Sequence, residues 1–270
     1  MLFEHDRHTG PCHSELPRCA SFRGTRYMLV AIIADLHANL EATVAVLAKL
    51  DEIRPDTAVC LGDLVGYNAN PNEVVDLIRE RGIPCLMGNH DAAVSGLEEP
   101  WFFNARAQAA ILWQRERLRE DNRQWLAALP PHLYFNDYCV GVHGAPGNRD
   151  DYILDWLDAV RQVEYLSKMG ARVCFFGHSH RASFFGERGT IPFNGGTVRC
   201  ALHRDNRYFI NPGSIGQPRD QDPRAAFGLY DTDAQIFEFC RVNYDISGAA
   251  SRILAAGLPG ELAARLSVGR

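Results

Sequence analysis

The sequence has no surplus of basic residues, because its 28 lysines and arginines are outnumbered by 33 aspartates and glutamates, giving a net charge of −5. Proteins that bind nucleic acid generally show a basic surface, so no stable nucleic-acid complex is expected. A small phosphate-ester or nucleotide substrate remains open, since a bound metal can reverse the local charge of a site.

Membrane and export signals are also missing. No apolar run approaches the length of a membrane span, so no membrane association is expected. The start, MLFEHDRHTG, is polar where a signal peptide needs a basic end and an apolar stretch.

The eight cysteines do not show the spacing of a disulfide framework, and most lie singly in apolar runs such as TAVCLGD. This usage is typical of reduced, buried thiols and predicts a cytoplasmic protein.

Neither an internal repeat nor a linker interrupts the chain after Met28. Residues 28–270 are therefore predicted to form a single domain. Residues 1–27 are polar and have no helical or strand period, which predicts a mobile N-terminal tail.

What the chain does contain is an alternation of short apolar runs with amphipathic stretches. Predicted strands LVAIIAD, TAVCLGD and IPCLMGNHD alternate with predicted helices NLEATVAVLAKLDE and NEVVDLIRERG, the second capped by Asn72. This order predicts an α/β core with parallel strands. Residues 92–130 are predicted to be a helical, lid-like segment, with 101–128 as one long helical stretch. Three further strand-like runs, a hairpin over 225–244 and short helices around Pro259 follow.

Polar side chains follow the predicted strands where each one ends. They include five of the ten histidines, and the set is Asp35, His37, Asp63, Asn89, His90, Asp91, His143, His178 and His180. Ligands of open α/β sheets bind beyond the carboxyl ends of the strands, so these groups are expected to converge. Each fragment alone would fit a turn or a helix cap, but all of them together favour a functional site.

The residue types restrict the metal that such a site would hold. Aspartate, asparagine and histidine without thiolate suit Mn²⁺, Fe or Zn²⁺ rather than an iron–sulfur cluster or Cu(I). The ligands outnumber those of one tetrahedral ion. Two ions about 3.5–4 Å apart, bridged by a shared carboxylate, would use them all and would generate a hydroxide near neutral pH.

Five motifs occur in a fixed order: Asp35-Leu36-His37, Gly62-Asp63, Gly88-Asn89-His90-Asp91, His143-Gly144 and Gly177-His178-Ser179-His180. In this the sequence resembles the calcineurin-like metallophosphoesterase superfamily. INPGSIGQPRD and the terminal GLPGELAARL are similar to its small bacterial and archaeal phosphodiesterase branch. The resemblance covers about residues 28–270 and implies an α/β fold of two mixed β-sheets in a sandwich flanked by helices.

The resemblance also implies roles for single residues. One metal would be held by Asp35, His37, Asp63 and His180, and the second by Asp63, Asn89, His143 and His178. His90 would be the catalytic histidine, oriented by Asp91. Asn89 and His90 are expected to contact the substrate. From their positions in the sequence, Tyr67 and Arg219 are further candidates, and Tyr67 would either face the substrate or merely shape the turn after the second motif. The cofactor is two divalent metal ions, with Mn²⁺ as the first choice and Fe, Zn²⁺ or Ni²⁺ as alternatives.

The expected activity is hydrolysis of a phosphodiester or phosphomonoester by attack of a metal-bridging hydroxide. Dinucleoside polyphosphate hydrolysis and protein phosphatase activity are the alternatives. A different class is a catalytically silent binding or scaffold protein. Such relatives typically lose the catalytic histidine or several ligands, whereas His90 and every ligand position are filled here.

Some further residues leave more than one interpretation. Ala38 stands where the branch usually has glycine, and it would be strained if the position needs a positive φ. Arg149 is the candidate to replace an arginine that relatives carry just after the preceding proline. Arg219 would reach a phosphate or pair with Asp220 or Asp222. The aromatic residues 101–103 would cover the site and stack on a base or aryl group, or dock the helical segment to the core.

Overall fold

The structure is a computed structural model that describes residues 28–190 and 198–270. The predicted mobile tail, residues 1–27, lies outside the described residues. Among the residues that are described, none of the helices is both long and apolar enough to cross a membrane.

The strands of the described residues form two mixed sheets. In chain order they are β1 (Leu29–Ile33), β2 (Thr57–Cys60), β3 (His132–Asn136), β4 (Cys139–Val142), β5 (Val173–Phe175), β6 (Ser183–Gly186), β7 (Gly189–Thr190), β8 (Arg199–Ala201), β9 (Tyr208–Asn211), β10 (Ala225–Asp231) and β11 (Ile236–Val242). One sheet has the order β2-β1-β10-β11-β8, and the other has β3-β4-β5-β9-β6-β7. The pairs β1/β2, β4/β5 and β5/β9 are parallel, and the other pairs are antiparallel.

Helices flank both sheets of this sandwich, as predicted. They are α1 (Leu40–Ile53), α2 (Pro71–Glu80), α3 (Asn89–Ser95), α4 (Ala105–Arg115), α5 (Glu120–Ala127), α6 (Trp156–Arg161), α7 (Val163–Lys168), α8 (Ile246–Ala255) and α9 (Gly260–Leu266). Asn39 caps α1 by accepting a hydrogen bond from the Ala42 N–H at 3.1 Å. The α8–α9 break at Pro259 and the hairpin β10–β11 agree with the predictions.

The alternation of side chains in β1 shows how the sandwich is assembled. Val30 and Ile32 pack in the cluster between the two sheets, which includes Phe175 and Tyr230. Ala31 and Ile33 face the opposite way and pack in the cluster formed with the helices on the outer face. Because successive residues of a strand point to opposite faces, a strand covered on both sides is apolar throughout.

Three local predictions differ from the structure. The third predicted strand is only an isolated parallel bridge between Cys60 and Cys85, because the chain turns at once into α3. The stretch 101–128 is a 3₁₀ turn (Pro100–Phe102) followed by the separate helices α4 and α5. Asn72 does not cap α2, because the helix already begins one residue earlier, at Pro71. Proline suits this first helical position, where an N–H group would have no partner within the helix.

Candidate metal centre

The candidate centre lies where β1, β2, β4 and β5 end, and backbone hydrogen bonds join the loops that follow these strands. Asp35 N–H donates to Gly62 O at 3.0 Å, and His37 N–H donates to Asp63 O at 2.9 Å. Across the second sheet, Gly177 N–H donates to His143 O at 2.7 Å. His178 N–H donates to Asp35 Oδ1 at 3.0 Å, so loops from both sheets form one interconnected site.

Several residues of these loops have left-handed backbone conformations. The φ angles are +53° at Asp35, +48° at His37, +55° at Asp63, +63° at His178 and +57° at His180. Such angles cost free energy for residues with a Cβ and persist only where surrounding contacts fix them. The strain is concentrated at the residues whose side chains point to the predicted metals.

The first cluster brings together Asp35, His37, Asp63 and His180, with ligand atoms within 4.8 Å of one another. His37 Nδ1 lies 2.8 Å from Val65 O, and His180 Nδ1 lies 2.7 Å from Gln217 O. A carbonyl oxygen only accepts, so each Nδ1 carries the proton in the neutral ring and each Nε2 presents a lone pair. These two Nε2 atoms are 3.0 Å apart, an arrangement that a cation stabilises.

The second cluster contains Asp63, His143 and His178. His143 donates from Nδ1 to Leu61 O at 2.8 Å, so its Nε2 faces Asn89 Oδ1 at 3.0 Å and Asp63 Oδ2 at 3.2 Å. His178 uses Nε2 to donate to the Asp150 carbonyl in the loop after β4 at 3.2 Å, which leaves Nδ1 as its candidate ligand atom. Orienting a metal-binding histidine through its other ring nitrogen is general in metalloproteins.

Each cluster contains a buried carboxylate oxygen that no hydrogen bond from the described part of the chain satisfies. Asp35 Oδ2 and Asp63 Oδ2 are buried and have no hydrogen-bond partner among the described residues. Burial raises the pKa of Asp35 to about 7. For Asp63 burial acts in the same direction, but His143 and His90 hold its pKa well below the usual value. Burial opposes protonation of His143, yet Asp63 raises its pKa to about 9. The donor set fits two divalent cations that share Asp63.

The expectation that Asp91 orients His90 needs correction. The buried Asp91 carboxylate accepts hydrogen bonds from the backbone N–H groups of Asp63 (2.8 Å), Leu64 (2.9 Å), Val65 (3.3 Å) and Gly88 (3.0 Å). Asp91 thus holds the loop that carries the shared ligand against the start of α3. It is a positioning residue for the centre, because a carboxylate fits a turn whose N–H groups converge.

His90 is instead held by ring packing. Its ring lies 4.8 Å from that of His37, 4.5 Å from that of Tyr67 and 4.8 Å from that of Phe103, measured between centroids. Nδ1 of His90 has no hydrogen-bond partner among the described residues. Burial, with a contribution from the charge of Arg219, lowers the pKa of His90 to about 4. The ring is therefore neutral when no anion is beside it.

A cavity of about 690 Å³ opens onto both clusters. Its lining residues are Asp63, Tyr67, Asn89, His90, Glu98, Glu99, Phe102, Phe103, Asn104, Asp150, Tyr152, His178, His180 and Arg219. Arg219 donates to the Tyr67 hydroxyl at 3.1 Å and to Gln217 Oε1 at 2.9 Å. It does not pair with Asp220 or Asp222, which bind Arg241 and Arg224. Its charge therefore faces the cavity.

The sequence profile of the calcineurin-like phosphoesterase superfamily domain matches residues 28–235. The chain belongs to the calcineurin-like phosphoesterase superfamily. An uncharacterized protein from Methanocaldococcus jannaschii is 36% identical over 248 residues, which are 90% of this chain and 98% of that protein.

Two solved structures are similar to this calcineurin-like phosphoesterase over nearly their whole length. The crystal structure of a metallophosphoesterase from Sphaerobacter thermophilus has 35% identity and a TM-score of 0.79, covering 91% of this chain and 100% of that one. A hypothetical protein from Pyrococcus horikoshii OT3 has 22% identity and a TM-score of 0.75, covering 90% and 98%. The second shows the shared fold alone.

The departures from the pattern of calcineurin-like phosphoesterases have structural outcomes. Ala38 does have a positive φ, +54°, at the position where glycine was expected. Arg149 is not a lining residue of the cavity, because its guanidinium forms ion pairs with Glu98 and Asp150. Arg149 is therefore not placed to contact a phosphate in the cavity, contrary to the expectation from the sequence.

Sequence reasoning missed two residues of the chain that contact the site. Tyr152 stacks on His178 with ring centroids 4.0 Å apart, and the Asp150 carbonyl accepts from His178 Nε2. Both belong to the loop after β4, which has no apolar period that would place it. Only the run HGAPGNRDDY, which begins at the candidate ligand His143, indicated that this loop starts at the site.

Proposed function

We propose that the protein is a dinuclear-metal-dependent phosphoesterase that hydrolyses phosphodiester or phosphomonoester bonds of a small substrate. Membership of the superfamily and the buried aspartate–histidine clusters support a metal-dependent phosphoesterase. The reaction type and the substrate are our inference from the residues around the cavity.

One observation carries the proposal. Asp63 belongs to both clusters. The Nε2 atoms of His37 and His180 face each other in the first cluster, and Nε2 of His143 faces the Asp63 carboxylate in the second. Lone pairs and carboxylates that face one another in a buried site need positive charge between them. The nitrogen and oxygen donors fit Mn²⁺ first, with Fe, Zn²⁺ or Ni²⁺ as alternatives.

When bound, two divalent ions supply an activated water and positive charge for the phosphoryl oxygens. The chain's own groups would complete the site. Arg219 would bind a phosphate oxygen, since its guanidinium faces the cavity and Tyr67 fixes its position. His90 would protonate the leaving oxygen once the negative phosphate lies beside its ring. Asn89 and the ring of His178 would border the same phosphate.

The cavity makes polyphosphate substrates the weaker alternative. Its outer lining includes Glu98, Glu99 and Asp150, while Arg219 is the one arginine among its described lining residues. Arg149 and Arg115 pair with the two glutamates and reduce this negative charge without removing the carboxylates from the lining. A chain of phosphates would place further negative charge beside them. The cysteines among the described residues are free and mostly buried, which supports a cytoplasmic location.

The test is metal content measured together with turnover. Protein loaded with Mn²⁺ should hydrolyse bis(p-nitrophenyl) phosphate or p-nitrophenyl phosphate. Asp63→Asn should lose both metal and activity. Asp233→Asn changes the same group at an exposed turn and should keep both. If Asp63→Asn retained two metals and full turnover, or if the loaded wild type hydrolysed neither ester, the proposal would be wrong.

A further inference from the structure

The cavity is larger than a phosphate group needs. Cavities of about 300–1,000 Å³ typically enclose a whole small organic molecule, and this one measures about 690 Å³. The candidate metal ligands occupy one part of its lining, and another part is formed by residues 98–99 and 102–104 with Asp150 and Tyr152 of the loop after β4. The part away from the metal ligands is therefore available to the organic group of an ester.

Phe102 lines this outer part and is 99% exposed. Its neighbours in the chain fix its backbone. Phe103 packs on His90, and its N–H donates to Pro100 O at 3.0 Å, closing the 3₁₀ turn. Gln108 in α4 donates to the same carbonyl at 3.2 Å. A large apolar ring is thus presented to solvent at the cavity by an anchored turn, while the next residue, Phe103, packs against the core.

A second aromatic side chain lines the same cavity. Tyr152 is 49% exposed although its ring stacks on His178. A planar aromatic group contacts such rings favourably by stacking, and the interaction tolerates any nucleobase because each has a π-face. Glu98, Glu99 and Asn104 line the cavity as well, and they offer acceptors for amino and hydroxyl groups of a ligand.

We propose that Phe102 and Tyr152 form an aromatic subsite that binds a planar group, such as a nucleobase, of an ester whose phosphate lies at the candidate metal centre. The inference rests on the proposed function and narrows its substrate class to esters with one phosphate and an aromatic group. Because Glu98, Glu99 and Asp150 line the cavity, the group bound beside them should be uncharged or a hydrogen-bond donor and not a second phosphate.

Binding by the Mn²⁺-loaded protein tests the subsite directly. Adenosine 5′-monophosphate and ribose 5-phosphate share the sugar phosphate and differ in the base. Calorimetry should show at least about tenfold tighter binding of the nucleotide, as expected for one stacked base. Phe102→Ala should abolish most of this preference. Trp101→Ala is the matched control, since Trp101 is 64% exposed beside Phe102 but is not a lining residue.

The outcomes separate the two proposals. Equal affinities for the two ligands in the wild type, or an undiminished preference in Phe102→Ala with an unchanged melting temperature, would overturn the subsite. Failure to hydrolyse any of the esters tested would overturn the proposed function. The binding preference for the nucleotide decides the aromatic subsite separately. A preference lost equally in Trp101→Ala and Phe102→Ala would also overturn the assignment, because the effect would not be specific to the cavity.

Discussion

Gly66 lies in the loop after β2, at a position where a methyl group would displace the candidate catalytic ring. It has φ +96°, and a Cβ built there would lie 2.3 Å from His90 Nδ1 and 2.8 Å from His90 Cγ. Carbon–heavy-atom contacts are comfortable near 3.5 Å, so in Gly66→Ala the His90 ring must move by about 1 Å. A displacement of that size costs about 10²-fold in rate. The backbone angle adds about 1–3 kcal/mol of instability.

The assay is kcat/KM for bis(p-nitrophenyl) phosphate together with urea unfolding, in a double-mutant cycle with His90→Ala. In the His90→Ala background, Gly66→Ala should change the residual activity by less than about threefold, because the effects of substitutions at two contacting residues do not add. Gly82→Ala is the control, since Gly82 also has a positive φ of +62° but nothing lies within 4 Å of its Cβ position. It should lose stability and keep activity. Equal losses of activity from Gly66→Ala with and without the His90 ring would refute the reasoning.

Three further predictions follow from the same contacts. Asp91→Asn replaces an oxygen that accepts from two buried N–H groups, so urea unfolding should show a loss of about 2–4 kcal/mol, and an unchanged stability would contradict the positioning role. Arg219→Gln should raise KM for the phosphate ester by about tenfold at unchanged metal content, and an unchanged KM would remove Arg219 from the substrate site. His178→Ala and His180→Ala should each lower the Mn²⁺ content measured by elemental analysis by one ion per chain, whereas two retained ions in either variant would oppose the ligand assignment.

The sequence predicted the fold class well, because the features that define it are local. Apolar runs such as LVAIIAD form strands that are covered on both faces, by the other sheet on one side and by helices on the other. The third predicted strand is only an isolated bridge in the structure, because the apolar run before Gly88 is short and α3 begins at Asn89. Residues 101–128 read as one helix because the breaks between helices depend on tertiary contacts, which leave little trace in the periodicity.

The candidate ligands were also found from the sequence, since every one follows an apolar run that predicted a strand. The structure brings these residues together, but their roles as metal ligands stay a prediction. What periodicity does not reveal is which backbone groups a buried carboxylate binds. Asp91 was therefore assigned to His90, its sequence neighbour, although it binds the loop of Asp63 across 28 residues of chain. Tyr152 was missed for a related reason, because its contact with His178 depends on the path of an irregular loop.

The contacts outside the ligand set indicate that the centre responds as a unit. Ser214 donates to the Asp35 carbonyl at 2.8 Å, and Asn211 donates to the Gly177 carbonyl at 2.7 Å. Together with Asp91, these residues fix loops whose left-handed backbone angles would otherwise relax. Loosening one loop moves its neighbours, because the loops share hydrogen bonds from one sheet to the other. A substitution at Ser214 should therefore weaken metal binding although its side chain faces a backbone carbonyl, and the precision of the centre resides in these contacts as much as in its ligands.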